Sequence, residues 1–423
     1  MRTRCHCISL GQGRLLVGIP SHALFSGLMP KAVFWNYPRP MTLAERSRLG
    51  PCELLVPLFA FLLVISMSAG CARSQNPTLV VTELRIPTNE SGDRGLEAVM
   101  VRPNDNTPHP LALMTHGTPR ATTERSQLTP LRLIPQAREF ARRGWTAVIV
   151  MRRGFGDSGG VYAEDSNQCG TSPDLVRPTQ EAVKDLRGAA SYLVTRPEVD
   201  RSRMIGVGIS TGGMAMLGLA ADPPPGLKAA ISFAGGRGSD APDHVCNPDV
   251  LIKAVADFGM RSRVPMLWVY AANDHFFGPQ LAQQLFEAYS ESGGTVRFIA
   301  TGPFGADGHE LFSQEGAAIW TPIVDEYLLG QYLGLRDTLL PDPPPDISSP
   351  SHLGSDGRKQ FEGYLLRAPH KAFAISQTGA FGFSYGQRTA ADAESRAIKN
   401  CNEHTPADIP CTIAVIENEK TKN

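Results

Sequence analysis

Met204-Ile-Gly-Val-Gly-Ile-Ser-Thr-Gly-Gly-Met-Ala-Met-Leu217 is the stretch whose reading decides the fold. An apolar run ends in Gly208-x-Ser210-x-Gly212, and small and apolar residues at helical spacing follow at once. That order predicts a strand, a tight turn and a helix, with the Ser210 hydroxyl pushed out at the end of a sheet, the layout of a nucleophile elbow. Side chains at Gly208 and Gly212 would collide with neighbouring backbone in so tight a turn. The same pentapeptide pattern recurs at Gly156-Asp-Ser-Gly-Gly160 and Gly382-Phe-Ser-Tyr-Gly386, so context has to choose among the three.

Outward from Ser210, the pattern from Pro77 to about Gly334 alternates strand and helix. Strands are expected at 79–86 and 96–101 as an antiparallel opening pair. Further strands are expected at 111–115, 146–151, 204–209, 229–233, 265–270 and 296–300. Helices are expected over about 124–143, its start interrupted by Pro130 and Pro135, and over 178–195, 279–291 and 314–331, besides the one that starts behind Ser210. Continuous apolar strands between helices imply a mostly parallel sheet covered on both faces, an α/β architecture. Sites in such sheets lie at the carboxyl ends of the strands. Ser210, His116, Asp274 and His309 all fall just after expected strands.

An activated serine needs a base within reach and a third group to orient it. Asp274, in Ala272-Asn-Asp-His, follows one strand, and His309, in Asp307-Gly-His, follows the last. Serine, acid and histidine thus come in a workable order at the expected strand ends. The oxyanion donors are expected to be the amide of Thr211, directly after the serine, and that of Thr118, in His116-Gly-Thr. This chemistry calls for no cofactor and no metal. His244 and Cys246 lack companions at metal-ligand spacing.

On these motifs, with Arg153-Gly-Phe-Gly-Asp-Ser-Gly-Gly160 beside them, residues 77–334 resemble the α/β-hydrolase superfamily, most of all its dienelactone-hydrolase-like and prolyl-oligopeptidase-like branch. The resemblance implies a serine hydrolase. True dienelactone hydrolases carry a cysteine nucleophile where this chain has Ser210, which favours ester or amide chemistry. With no propeller or other size-filtering domain read ahead of 77–334, a carboxylesterase is favoured over a peptidase. A non-catalytic envelope protein on the same fold is the competing expectation.

Other residues read as structural. Ser158 lacks a helix directly behind it and the surroundings of a trypsin-like site, and reads as a turn and cap. Ser384 has only Asp392 and His404 downstream, in a tiny module. His116, His275, Glu310 and Trp268 are read as supporting residues, Arg152 and Arg153 as partners of carboxylates near the sheet end, and Asp307 as holding its loop. Phe276 and Phe277 border the acid loop, where they line an acyl pocket or simply pack.

The formal charge is zero, with 41 basic and 41 acidic side chains, which gives no case for a nucleic-acid partner. The balance is uneven: residues 1–71 hold seven Lys/Arg against two Asp/Glu. Residues 1–40 lack periodicity and acids, and Met41 is read as the true start. Arg46 and Arg48 then form a basic region, Leu54 to Met67 a short apolar run, and Ser68-Ala-Gly-Cys71 a cleavage site. This reads as a secretory signal, too short to span a membrane. Its end resembles a bacterial lipobox with Cys71 as the lipidated residue, although Ser68 stands where leucine is usual. Periplasmic or membrane-anchored export follows. The four later cysteines fit an oxidising compartment, with pairs Cys169–Cys246 and Cys401–Cys411 expected.

Residues 235–262, irregular with Gly235-Gly-Arg-Gly238 and Cys246 before a short helix, are candidates together with 157–177 for a small lid beside the pocket, tied by the first bridge. A proline-rich linker covers 335–357, and a small α+β module stapled by the second bridge covers 358–420. The expected partner is a small ester or a short peptide.

Overall fold

In a computed structural model the chain divides into two units, residues 1–71 and 72–423, and the residues described are 79–334, 336 and 338–421. The Met41 start, the signal segment and lipidation of Cys71 lie outside the described residues. No helix among the described residues is long and apolar enough to cross a membrane.

Among the described residues, ten strands and six α-helices build the body. In chain order they are β1 (Leu79–Ile86), β2 (Leu96–Pro103), β3 (His109–Thr115), α1 (Ile134–Arg142), β4 (Thr146–Val150), α2 (Val176–Leu193), β5 (Val199–Ile209), α3 (Thr211–Ala221) and β6 (Leu227–Phe233). Then come β7 (Ser239–Ala241), β8 (His244–Val245), α4 (Pro248–Arg261), β9 (Met266–Ala271), α5 (Pro279–Glu291), β10 (Val296–Thr301) and α6 (Ala317–Gly330). Eight strands form one sheet in the order β1-β2-β4-β3-β5-β6-β9-β10, and β7 and β8 pair separately. β2 runs antiparallel to β1 and to β4; every later pair in the sheet is parallel.

The alternation along the strands splits the core in two. Met266, Trp268 and Tyr270 of β9 pack on one face with α2, α3, α4 and α5. Leu267, Val269 and Ala271 pack on the other with α1 and α6. A strand apolar on both faces cannot sit at an edge, and β5 and β9 each have a neighbour on both sides. Because β3 to β10 of the sheet run parallel, their carboxyl ends share one rim, and the loops after β3, β5, β9 and β10 meet there.

Three segments differ from the sequence expectation. The helix expected over 124–143 is two 3-10 turns, Thr122–Gln127 and Pro130–Leu133, before α1. Pro130 and Pro135 confine regular helix to the residues behind them, where a proline in the first turn removes no hydrogen bond. Much of the expected lid at 235–262 is core: α4 buries Leu251, Ala254, Val255 and Phe258 and packs on α3 and α5. The expected linker ends early, because α7 (Ser355–Leu365) begins inside it and Leu353 is already buried.

α7 belongs to the C-terminal module with β11 (Ala372–Ile375), β12 (Phe381–Ser384), α8 (Ala390–Asn402), β13 (Thr412–Ile416) and β14 (Glu419–Lys420). The antiparallel sheet, in the order β12-β11-β13-β14, lies between two helices. Phe361 and Tyr364 of α7 meet Phe373 and Val415, while Ala393 and Ala397 of α8 meet Ala372 and Ala374. Cys401 and Cys411 are joined beside the second cluster. Asp392 accepts from the Thr389 hydroxyl at the start of α8 and serves no serine.

The module is tied to the body through Arg388. Its guanidinium donates to both oxygens of Glu97, at 2.9 and 3.2 Å, and to the carbonyl of Leu128. Glu97 also accepts from the Asp157 amide at 2.8 Å, and the Thr129 hydroxyl donates to the Gly386 carbonyl at 3.2 Å. Arg388→Ala leaves Glu97, 15% exposed, without its cation. The expected cost is about 1–2 kcal/mol, reduced from the fully buried case by partial solvent screening. A lowered denaturation midpoint measures it, and an unchanged midpoint would show that the tie is energetically idle.

Candidate active site

β5 delivers Ser210 into a strained turn. Ser210 has φ 57° and ψ −123°, a conformation that non-glycine residues rarely adopt and that persists only where surrounding structure enforces it. The enforcement is visible. The Ser210 amide donates to the Phe233 carbonyl at 2.9 Å, and its carbonyl accepts from the amides of Met214 and Gly236. A Cβ at Gly208 would lie 2.1 Å from the Gly212 carbonyl oxygen, and one at Gly212 would lie 2.4 Å from that of His116. Both flanking glycines are therefore fixed by close backbone approach.

Asp274 and His309 are assembled by the loops after β9 and β10. Asp274 is buried, and its Oδ1 accepts from the amides of Phe276 and Phe277 at 2.7 and 2.9 Å. The Nδ1 of His309 lies 3.2 and 3.1 Å from the two Asp274 oxygens. Asp307 holds the two loops together, accepting from the amides of His275 and His309 at 3.0 and 2.9 Å. Asn273 stitches them again through the Phe304 amide and carbonyl. The His275 side chain turns away to the exposed Asp243, 2.7 Å distant, which raises its pKa. Phe276 stacks on the His309 ring with centroids 3.9 Å apart.

His309, Ser210 and Gly117 line one cavity of about 470 Å³. The Ser210 hydroxyl and His309 are not hydrogen-bonded to each other, although both line this cavity. Thr211 opens α3, where the first-turn amides have no intrahelical acceptor. The hydroxyls of Thr118 and Thr211 are 2.8 Å apart, so the two loops meant to supply oxyanion donors touch beside the serine.

Beneath them lies a network that sequence reasoning only half saw. Arg152, fully buried, donates to the His116 carbonyl (2.7 Å), to the Thr115 and Thr211 hydroxyls (2.8 and 3.3 Å), and to Glu164 (2.5 Å). Arg237 donates to the same Glu164 carboxylate at 2.8 Å. Burial by itself would raise the Glu164 pKa, but the two guanidiniums hold it down at about 2. Burial and the neighbouring Arg152 push the His116 imidazole down to about 3. Its Nδ1 donates to the Gly117 carbonyl and its Nε2 accepts from the Arg152 amide, so it is a neutral strut. Arg153 pairs with Glu181 and Asp185. Ser158 caps nothing catalytic: it accepts from the Glu97 amide and donates to the Met151 carbonyl.

Cys169 and Cys246 are joined, tying the loop before α2 to the β8 hairpin. Among the described residues one trio of donor side chains lies close enough to share an ion, and two of its members are these bridged sulfurs, with Asp240.

Residues 91–249 match the family described as X-Pro dipeptidyl-peptidase (S15 family), a span well under half of the chain. No curated protein is a match. Among solved structures, a provisionally named dienelactone hydrolase from Klebsiella pneumoniae is 20% identical, with 58% of this chain and 97% of that chain covered and a TM-score of 0.40. An esterase from Pyrococcus furiosus is 13% identical, with 60% and 90% covered and a TM-score of 0.42. An acylaminoacyl peptidase from Pyrococcus horikoshii is 19% identical, with 60% of this chain but 42% of that chain covered and a TM-score of 0.43.

Proposed function

We propose that this chain, which carries the α/β-hydrolase fold, is an exported serine hydrolase that cleaves an ester or amide through an acyl-enzyme on Ser210. The observation that carries the reading is the strained Ser210 at the β5–α3 turn sharing a cavity with His309, itself oriented by the buried Asp274.

In this reading Ser210 Oγ attacks the carbonyl carbon while its proton passes to His309 Nε2. Asp274 holds Nδ1 and offsets the charge of the imidazolium. The amides of Thr118 and Thr211 receive the oxyanion. Collapse breaks the bond to the leaving alcohol or amine, which takes the proton from His309. Water then enters, gives a proton to His309 and attacks the acyl-enzyme; the acid leaves and the Ser210 hydroxyl regains its proton. Apart from the substrate and this water, the groups that act in these steps belong to the chain.

An esterase is the first reading. The match of residues 91–249 to X-Pro dipeptidyl-peptidases supports a second, a peptidase on short peptides with the same nucleophile. Two disulfides support an oxidising compartment. A signal ending at Cys71, with or without its lipid, belongs to the same proposal, as does the division into a body (77–334) and a C-terminal module (358–420).

The test is labelling of the folded protein by a fluorophosphonate, followed by rates on 4-nitrophenyl esters and on Xaa-Pro 4-nitroanilides. Labelling on Ser210 with ester turnover is the expected result. No labelling would overturn the reading in favour of a non-catalytic binding protein, and labelling at another serine would overturn the assignment of Ser210.

A further inference from the structure

Two cavities open on Ser210; Thr118, Arg120 and Phe276 line both, while His309 lines only one and Arg125, Arg237 and Glu164 only the other. One is the cavity of about 470 Å³ that includes His309. The other, of about 300 Å³, is lined by Ser210, Thr118 and Thr211 but not by His309. A leaving group has to receive its proton from His309, so it departs on the His309 side. The second cavity is left for the acyl portion of the substrate.

Its walls carry three arginines, Arg120, Arg125 and Arg237. Arg120 lies 3.5 Å above the Phe276 ring, and one of its nitrogens donates to the Ser239 hydroxyl and to the carbonyls of Ala241 and His275. Its buried Nε has no acceptor. Arg125 rests 3.9 Å over the Tyr162 ring and donates to the Thr122 carbonyl. Among the described residues no carboxylate pairs with either. Arg237 is 2% exposed, and its Nε is likewise buried without an acceptor.

Two carboxylates share the lining, Glu164 and Asp165. Glu164 is already engaged by both Arg152 and Arg237, so this buried trio keeps a net positive charge. Asp165 is exposed at the rim, where it accepts from the Asn167 amide. Planar guanidiniums held by stacking and carbonyl contacts, with donors left over, are arranged for a carboxylate. A substrate ammonium at the same place would meet like charge.

We propose that this cavity selects substrates whose acyl chain ends in a carboxylate, with Arg120 and Arg125 as the specificity-determining residues. The proposal rests on the serine hydrolase reading for its catalytic consequence, but anion binding is measurable without turnover.

The experiment has two arms on the full-length protein. Calorimetric titration with glutarate reads binding in the wild type, Arg120→Gln and Arg125→Gln. Kinetics compare mono-4-nitrophenyl glutarate with 4-nitrophenyl pentanoate, a neutral ester of matched length. The expected result is glutarate binding weakened at least about tenfold in each variant. In parallel, kcat/KM favours the anionic ester in the wild type, and that ratio falls about tenfold or more on either substitution, with the preference shrinking as salt rises. Equal glutarate affinity in all three proteins, or a wild-type preference for the neutral ester, would overturn the proposal. Glutarate binding that depends on both arginines in a protein that cleaves neither ester would instead remove the hydrolase reading and leave the anion site standing.

Discussion

Ser210→Ala is expected to lower kcat/KM on a 4-nitrophenyl ester by a factor on the order of 10⁴ or more and to abolish fluorophosphonate labelling, while leaving the denaturation midpoint close to that of the wild type. The rate loss follows from the proposed division of labour among Ser210, His309 and Asp274. Without the hydroxyl, His309 and Asp274 have no proton to relay, and only substrate binding and the oxyanion donors still favour reaction. The modest stability effect follows from position. The Ser210 side chain makes no hydrogen bond among the described residues, and the turn is held by backbone bonds to Phe233, Met214 and Gly236 that alanine keeps. Alanine bears the same unfavourable φ as serine. A variant retaining ester turnover near the wild-type rate would end the acyl-enzyme proposal.

Glu164→Gln is expected to be the most destabilising change of a single charge outside the proposed relay. It keeps side-chain volume but leaves Arg152, fully buried, and Arg237, 2% exposed, without a counter-charge. Removing one member of such a buried set costs about 3–5 kcal/mol. The control is Glu326→Gln on the outer face of α6, where the pair with Arg297 is solvent-screened; a change of at most about 0.5 kcal/mol is expected there.

The pH dependence carries a definite sign. The folded-state pKa of Glu164 lies at about 2, below its ordinary value of 4.5. Its stabilising contribution is therefore complete above about 4.5 and is lost as pH falls from there towards 2. Acid denaturation of the wild type should show this loss, and Glu164→Gln should flatten that part of the curve. Because Arg152 also bonds Thr211 and the His116 carbonyl, the variant is expected to lose ester activity even where it remains folded. Equal midpoints for Glu164→Gln and Glu326→Gln would show that the buried network is not structural.

Most of the body was legible because its signals are local. The apolar run Pro265–Tyr270 reads as a strand, where β9 (Met266–Ala271) lies, and the expected helix over 279–291 coincides with α5. Pro130 and Pro135 interrupt the start of the helix expected over 124–143, and the interruption runs as far as Ile134, where regular helix begins. Where local signals misled, a longer-range cause is at hand. α4 follows an irregular, glycine-rich stretch, and only its packing on α3 and α5 makes it core. α7 hides behind a proline-rich segment and owes its place to Phe361 and Tyr364 meeting the module's sheet. The cavity was the least legible part. Arg237 and Glu164 are 73 residues apart, Arg120 reaches a carbonyl 155 residues away, and neither contact leaves a spacing to read.

The sequence by itself determined the alternation of strands and helices, the tight turn at Ser210 and the order in which serine, acid and histidine follow strand ends. The strand, helix and turn signals each lie within a few positions of one another, and the order of the three residues is simply their order along the chain. Only the tertiary structure decided that Phe276 lies against His309, that two guanidiniums share one buried carboxylate, and that Arg388 braces the C-terminal module on the loop before α1. Those contacts join segments that meet only once the parallel sheet brings its loops to a common rim, and neither charge nor side-chain type in the linear chain says which distant partner will be there.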